Sequence, residues 1–369
     1  MPNTAAAGRT AGRARTLTGA LAIAALLAAL MALWQTQFRP LSKPEYCWGT
    51  WRADGGPFRT DAGRDGGAHR RTARETAPTP ARPHGRCSLS WSGGRGRDAP
   101  RRSLEVRYET GPSAADERRA WLAELFAGGD AALPDDLPGF VTAGTGTLVL
   151  PASCDVDGRP SVVTVSGSFD SSPDRTGRIL LEAANRATKV TGCAGEVRTT
   201  GPTTPTGCSL PLPPPAPAPT PAPARAPRPA PASAPPPAPA SPPASPPASA
   251  PPSAPRTAAG SVHDGFQTCA IAGGGQWAAR FTMVARPRIV ALFDGLTGDS
   301  PPGPGWRALG RIEAAAALIR ADCAGRPTVF TMRTGPGRTG TSLDDARKAF
   351  PPLVEAVADR MGCAPLHSV

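Results

Sequence analysis

Lysine, tyrosine and histidine are almost missing from this chain of 369 residues. Lysine stands only at Lys43, Lys189 and Lys348, so arginine carries nearly all the positive charge. Aromatic residues make up 5% of the chain, which leaves any folded part short of large core side chains. The four histidines, His69, His84, His263 and His367, fall in apparent loops and the C-terminal tail. They share no helical ligand spacing, so no histidine metal centre is expected. No Cys-x-x-Cys pair occurs, which argues against a zinc ribbon or a thioredoxin-type redox site. No Gly-x-Ser-x-Gly elbow marks a serine nucleophile. No catalytic, cofactor-binding or metal-ligating residue is therefore assigned.

One long apolar run is present. Between Arg15 and Arg39 lie 23 residues without a charge. About 20 apolar residues cross a hydrocarbon core. Arg9, Arg13 and Arg15 precede the run, which keeps the N-terminus inside. The expected layout is a cytoplasmic tail over 1–15 and a transmembrane anchor over 16–38, in a single-pass protein of the cytoplasmic membrane with its bulk extracytoplasmic. A cleaved signal peptide is the competing reading, but no small-x-small site closes the run.

All eight cysteines follow that run, as two sets of four: Cys47, Cys87, Cys154 and Cys193, then Cys208, Cys269, Cys323 and Cys363. Cysteines confined to the exported side imply an oxidising compartment and disulfide bonds. The flanking text repeats. Val149-Leu-Pro-Ala-Ser-Cys154 leads to Gly158-Arg-Pro-Ser-Val, and Ile319-Arg-Ala-Asp-Cys323 leads to Gly325-Arg-Pro-Thr-Val. Both copies end in Gly-Cys-Ala, at Cys193 and Cys363, and the third-to-fourth spacing is 39 residues in one and 40 in the other. Agreement of this kind signals internal duplication. Four cysteines allow three pairings. The expected set is first with second and third with fourth: Cys47–Cys87, Cys154–Cys193, Cys208–Cys269 and Cys323–Cys363. Closing a loop of about 40 residues contributes roughly 4 kcal/mol on the chain-entropy account.

The expected fold class is α+β: two related disulfide-stabilised domains, each a small antiparallel sheet packed on helices, over 41–200 and 257–366, the latter with Cys208. In the first, a strand over 102–108 precedes a helix over 115–126 whose apolar face is Trp121, Leu122, Leu125 and Phe126. Strands near 146–151 and 160–168 follow, joined through Asp157-Gly158. A helix over 173–191 buries Leu180, Ala183, Ala184, Ala187 and Val190. The second repeats this order with strands near 279–285, 316–321 and 328–333 and a short helix over 289–295. Its closing helix starts at Ser342 and is interrupted at Pro351-Pro352, where a second helix begins. The Pro/Ala/Ser tract over 210–256 cannot form a packed core and reads as an extended spacer. It is either an interdomain linker or a loop inside the second quartet, between Cys208 and Cys269.

Residues 52–86 read as a long loop. The net charge is +12, and Arg64, Arg70, Arg71, Arg74, Arg82, Arg86, Arg95, Arg97, Arg101 and Arg102 crowd the region around Cys87. Such a patch attracts polyanions. An exported protein meets anionic lipid and wall polymer, so nucleic acid is not an expected partner. Trp48, Trp51 and Trp91 flank the first two cysteines, where packing on a disulfide or seating at a membrane interface are the two roles considered. Gly335-Pro-Gly337-Arg-Thr-Gly340 matches the glycine spacing of a dinucleotide loop, but it lacks the parallel strand–helix–strand unit that mechanism needs. The acidic pairs Asp135-Asp136 and Asp344-Asp345 read as turn and helix-start residues.

The opening Leu41-Ser-Lys-Pro-Glu-Tyr-Cys47-Trp-Gly-Thr-Trp51, with Val149–Cys154 and Asp157–Ser161, resembles single-pass, membrane-anchored exported proteins of streptomycete-type actinobacteria. The resemblance implies export and the two-copy layout and brings no catalytic residue with it. The expected function is a non-catalytic binding or sensing module of the cell envelope. The alternatives are an envelope hydrolase without a recognisable motif, and an accessory subunit of another membrane protein.

Overall fold

Alternating apolar and polar residues build two antiparallel sheets in a computed structural model. It describes residues 23–31, 44–58, 71–92, 100–128, 131–134, 137–169, 171–197, 201–205, 265–273, 276–337 and 342–367. The chain divides into two units, Met1–Glu45 and Tyr46–Val369. In the first unit, helix α1 covers residues 23–31 and exposes Ile23, Leu26, Leu27, Leu30 and Met31. Among the described residues no helix is long and apolar enough to cross a membrane. The rest of the expected 16–38 anchor lies outside the described residues.

A two-stranded hairpin, β1 (Glu45–Tyr46) and β2 (Trp51–Arg52), precedes two larger sheets in the chain. The first large sheet contains β3 (Arg71–Thr76), β4 (Gly85–Ser92), β5 (Arg101–Thr110), β6 (Ala131–Ala132), β7 (Gly139–Val141), β8 (Thr145–Val149), β9 (Ser161–Ser168) and β10 (Thr204–Pro205). Their order across the sheet is β10-β6-β7-β8-β9-β5-β4-β3. The second sheet contains β11 (Phe266–Gly273), β12 (Gln276–Val284), β13 (Leu309–Ile312), β14 (Ala316–Cys323) and β15 (Arg326–Thr334), in the order β11-β12-β15-β14-β13.

The strand order β4-β5-β9-β8-β7 of the first sheet recurs in the second as β11-β12-β15-β14-β13. The helices recur in the same places. Helix α2 (Ala115–Leu125) follows β5, and α4 (Pro287–Val290) follows β12. Helix α3 (Pro173–Thr191) follows β9, and α5 (Ala346–Arg360) follows β15. The register agrees as well. Cys87 lies opposite Val106, itself opposite Val165, while Cys269 lies opposite Phe281, itself opposite Met332. The β8–β9 and β14–β15 connections both turn through two left-handed residues, Asp157-Gly158 at φ 51° and 71° and Ala324-Gly325 at φ 54° and 78°. That is the turn whose twist suits a tight hairpin.

Three disulfides staple the frame: Cys47–Cys87, Cys154–Cys193 and Cys323–Cys363, each with the expected partner. Cys269 is also disulfide-bonded, and Cys208 lies outside the described residues. Trp48, Trp51 and Trp91 are buried in one core with Cys47 and Cys87. The indole N–H of Trp51 reaches Glu182 on α3 at 2.6 Å. Packing, rather than a membrane interface, is the role of these three side chains.

Three cores result. Helix α3, through Leu180, covers one face of the first sheet over Leu104, Val106, Tyr108 and Val163. Helix α5, through Phe350, Leu353 and Val357, covers one face of the second over Phe281 and Phe330. The third core joins the other faces of the two sheets, with Leu122, Phe126, Phe140 and Val162 against Phe266, Val284, Phe293 and Val329. Phe140 stacks on Phe126 at 4.8 Å and on Phe266 at 5.1 Å between ring centroids.

Two expectations are corrected. Residues 52–86 are not one long loop, because they hold a 3-10 turn at Gly56–Phe58, strand β3 and the start of β4. Strand β3 is an edge strand of exposed side chains, so no apolar alternation advertised it; its ladder to β4 forms it. Helix α5 is not broken at Pro351-Pro352 but runs continuously from Ala346, with Asp345 as the cap accepting the Arg347 N–H at 3.0 Å. A helical proline removes the bond to the carbonyl four residues earlier. Here those carbonyls belong to Arg347 and Lys348, both exposed, where water can take the lost partner's place.

Phe140 tests the shared core. Phe140→Ala should destabilise by about 3–5 kcal/mol, and denaturant unfolding should show both sheets lost in one earlier transition. Two separate transitions with only one of them shifted would contradict a common core.

Candidate functional site

The third core is closed where α4 meets the first half. The buried Arg286 donates to the carbonyls of Leu133, at 3.2 Å, and Leu137. Arg288 donates to the Leu150 carbonyl at 2.7 Å and grips both oxygens of Asp155 at 2.5 and 3.0 Å. A guanidinium presents five donors in a planar fork, so it can satisfy several carbonyls at once.

Where α2 meets the second sheet the packing stays open. A groove of about 560 Å³ lies between them. Ala120, Ala123 and Ala127 form the α2 wall, with Asp116, Arg119 and Glu124 beside them. These small side chains keep the helix from filling the space. Arg119 is held by Asp116 at 2.5 Å and by the Leu296 carbonyl at 3.3 Å, and Arg118 donates to the Asp294 carbonyl at 2.6 Å. Phe293 and Leu296 line the groove from the α4 side.

The floor is the face of the second sheet turned away from α5. Strand alternation sends Phe281 and Met283 to the α5 core and leaves Arg280 and Thr282 on the groove. The register then sets the neighbours. Arg280 lies opposite Arg333, and Arg333 opposite Ala316; Thr282 lies opposite Thr331, Thr331 opposite Leu318, and Leu318 opposite Arg311. Glu313 sits at the end of the first of these rows, its N–H bonded to the Ala316 carbonyl at 2.8 Å. The Arg280 guanidinium lies over the Trp277 ring at 4.6 Å.

Gly335 and Gly337, from the glycine-rich motif, continue the β12 ladder. Gly335 N–H donates to Ala278 at 2.7 Å and Gly337 N–H to Trp277 at 3.0 Å. A Cβ on Gly335 would stand 2.3 Å from the Trp277 carbonyl oxygen and 2.4 Å from its ring. The glycine is there to let Trp277 seat, which is a different use from cradling a phosphate.

The other side chains flagged in the sequence are scattered. Arg71 and Arg74 lie on β3, Arg86 on β4, Arg101 and Arg102 on β5, and Arg82 in a turn. Arg64, Arg70, Arg95 and Arg97 lie outside the described residues, as do His69, His263 and Asp135-Asp136. The Arg-rich stretch is thus partly strand rather than loop. Arg71 turns to the core side and stacks over Phe58 at 4.5 Å. Arg86 and Arg107 face each other across β4 and β5, with Glu105 bonded to both. Burial works to raise the Glu105 pKa, but the bonds and charges of Arg107 and Arg86 outweigh it and hold the carboxyl below its ordinary value. Asp345, the α5 cap, is held low by Arg347. His84 is exposed, and His367 packs on Trp306 at 4.8 Å. Potential ligand atoms of Cys47, Glu75 and Cys87 lie within 4.8 Å of one another. The two sulfurs are bonded to each other, and a metal needs thiolates.

The groove was missed in the sequence. Its floor depends on which strand residue faces which, and nothing in the text supplies that register. The only local hint was arginine at Arg280 and Arg333, each next to a core residue. No protein-family model, curated protein or solved structure matches this chain.

Two outcomes follow from this geometry. Gly335→Ala should displace Trp277 and destabilise by about 1–3 kcal/mol; a change in tryptophan emission that is absent when the same substitution is made in a Trp277→Phe background would locate the effect. A carboxylate held low contributes stability above its unfolded pKa and loses it as pH falls through the folded value. The acid limb of stability below roughly pH 4.5 should therefore be shallower in Glu105→Gln than in the wild type, read by thermal unfolding across pH 3–6.

Proposed function

We propose that this chain is a membrane-anchored, extracytoplasmic binding or sensing module of the cell envelope, made of two copies of one ββαβββα unit, which acts by holding a ligand rather than by breaking bonds. The observation that carries this reading is the groove: a partly apolar cleft rimmed by charge, framed by elements from both halves and stapled by disulfides. Clefts of this size with a few converging polar groups are the usual form of small-ligand sites. The recurring strand order and the matched cysteine register support the two-copy origin. Oxidised cysteines fit an exported location, and the uncharged run after Arg15 supplies the anchor.

The basic face of the first sheet supplies a second contact with the envelope. Arg74, Arg86 and Arg107 stand on its outer face among Ser88, Ser90 and Thr164. Anionic lipid headgroups and wall polymer are its proposed partners, through charge rather than shape. Such attraction is screened over about 8 Å at physiological salt.

The test uses the full chain in neutral-lipid nanodiscs, incubated with purified wall polymer and, separately, with vesicles containing anionic lipid. Retention on at least one is expected, falling several-fold as salt is raised from 50 to 300 mM and weakened by Arg74→Ala combined with Arg86→Ala. No retention on either, together with release of soluble fragments from the polymer, would replace binding with hydrolysis.

A further inference from the structure

Resting on the reading of the groove as a binding site, we propose that it takes a single zwitterionic amino acid. The carboxylate sits on Arg333, the ammonium on Glu313, and an apolar side chain lies along Leu318 toward Phe293 and Leu296.

Arg333 on β15, Ala316 on β14 and Glu313 just after β13 stand in one row across the sheet, and all three line the groove. Strands lie about 4.8 Å apart, so two spacings put the charged residues about 10 Å apart at the backbone. Only the methyl group of Ala316 stands between them. Both charged side chains are exposed, and among the described residues neither makes a hydrogen bond or an ion pair. A cation and an anion are thus held on one row, unpaired, across a gap.

The gap has the length of an amino-acid head. The ammonium and carboxylate on one α-carbon are about 3 Å apart. A charge-assisted hydrogen bond of about 2.8 Å at each end brings the span to roughly 9 Å. A second residue would add about 3.5 Å and overrun it.

The fold does not require these charges. The matching row of the first sheet is Ser166, Thr145 and Thr142, where the Thr142 N–H bonds the Thr145 carbonyl at 2.7 Å. The hydroxyls of Thr142 and Thr145 bond each other at 2.9 Å. The first copy closes this row on itself. The second places alanine in the middle and opposite charges at the ends.

The remaining lining narrows the ligand. Glu124 on the α2 wall adds an acid, and Arg311, opposite Leu318, adds a base. Charge of both signs favours a ligand with one group of each over a plain anion or cation. Glu124 already stands in the field of Arg107, which leaves Glu313 as the partner of the ammonium. Arg280 lies over the Trp277 ring and has no part in this arrangement. Leu318 packs against the third core, which holds Phe293 and Leu296. Ala120 and Ala123 keep the α2 wall back from it. A short apolar side chain fits there, in the usual manner of small-ligand sites.

Titration calorimetry on the full chain in neutral-lipid nanodiscs, with empty nanodiscs as the blank, tests this with leucine, phenylalanine, glycine, N-acetylleucine and leucinamide. Leucine or phenylalanine should bind more tightly than glycine, and leucine roughly tenfold or more above either blocked form. Arg333→Ala should weaken leucine roughly 10- to 100-fold and erase its preference over leucinamide. Glu313→Gln should weaken it similarly and erase its preference over N-acetylleucine. Neither leucine nor phenylalanine bound by the wild type, blocked forms bound as tightly as leucine, or unchanged affinity in either variant would overturn the proposal. If Arg333→Ala does not fold, Glu313→Gln decides alone. Failure of the amino acids with wall-polymer or vesicle retention intact removes only this inference. Loss of retention with leucine still bound removes only the envelope partners.

Discussion

A seam of four phenylalanines holds the two halves together, and the rest of the folded unit is arranged around it. Phe126, Phe140, Phe266 and Phe293 come from α2 and its following turn, β7, β11 and the turn after α4, with centroid separations of 4.8, 5.1 and 5.6 Å. Offset-stacked rings contribute beyond their buried area. In a chain with 5% aromatics this concentration is a substantial share of the large apolar side chains. Each sheet already buries one face under its own long helix. The seam covers part of the other face, so neither sheet completes its core without its counterpart. This is why the groove belongs to both halves: the helix wall comes from one and the floor from the other.

The scarcity of lysine gives the electrostatics their character. Arginine serves here in two ways that an ammonium could not. Arg286 is buried and donates to backbone carbonyls of the first half, a placement that suits a weakly hydrated, many-donor cation. Arg288 combines a carbonyl with both oxygens of Asp155. These two guanidiniums are structural because acceptors surround them. Arg333 sits on an open floor beside another guanidinium, and Arg280 has an aromatic ring beneath it.

Elements specified by nearby residues were legible in the sequence. Helix α3 spans Pro173–Thr191, as its proline start and its Gly192 end imply, and Ser172 caps it. The third-to-fourth cysteine pairs were legible because equal spacing and the repeated Gly-Cys-Ala implied equal roles. What failed depended on distant partners. Strand β3 exists because β4 offers it a ladder, and its exposed Arg/Thr sequence looks like loop. The prolines of α5 looked like a break because only the fold shows that the residues whose carbonyls they orphan, Arg347 and Lys348, are exposed. The site lay deepest out of reach, since Arg280 and Arg333 are 53 positions apart in the chain and become neighbours only through the β12–β15 register.

The two sheets share their frame and differ on their open faces. If both descend from one unit, the unit's hairpin turns, cysteine positions and closing helix are the parts under common constraint, since both copies keep them. The open face is under no such constraint. The first sheet carries on its open face an acid, Glu105, bonded to two arginines, Arg86 and Arg107, which leaves that face basic. In the other sheet Arg280 stands opposite Arg333 beside the groove.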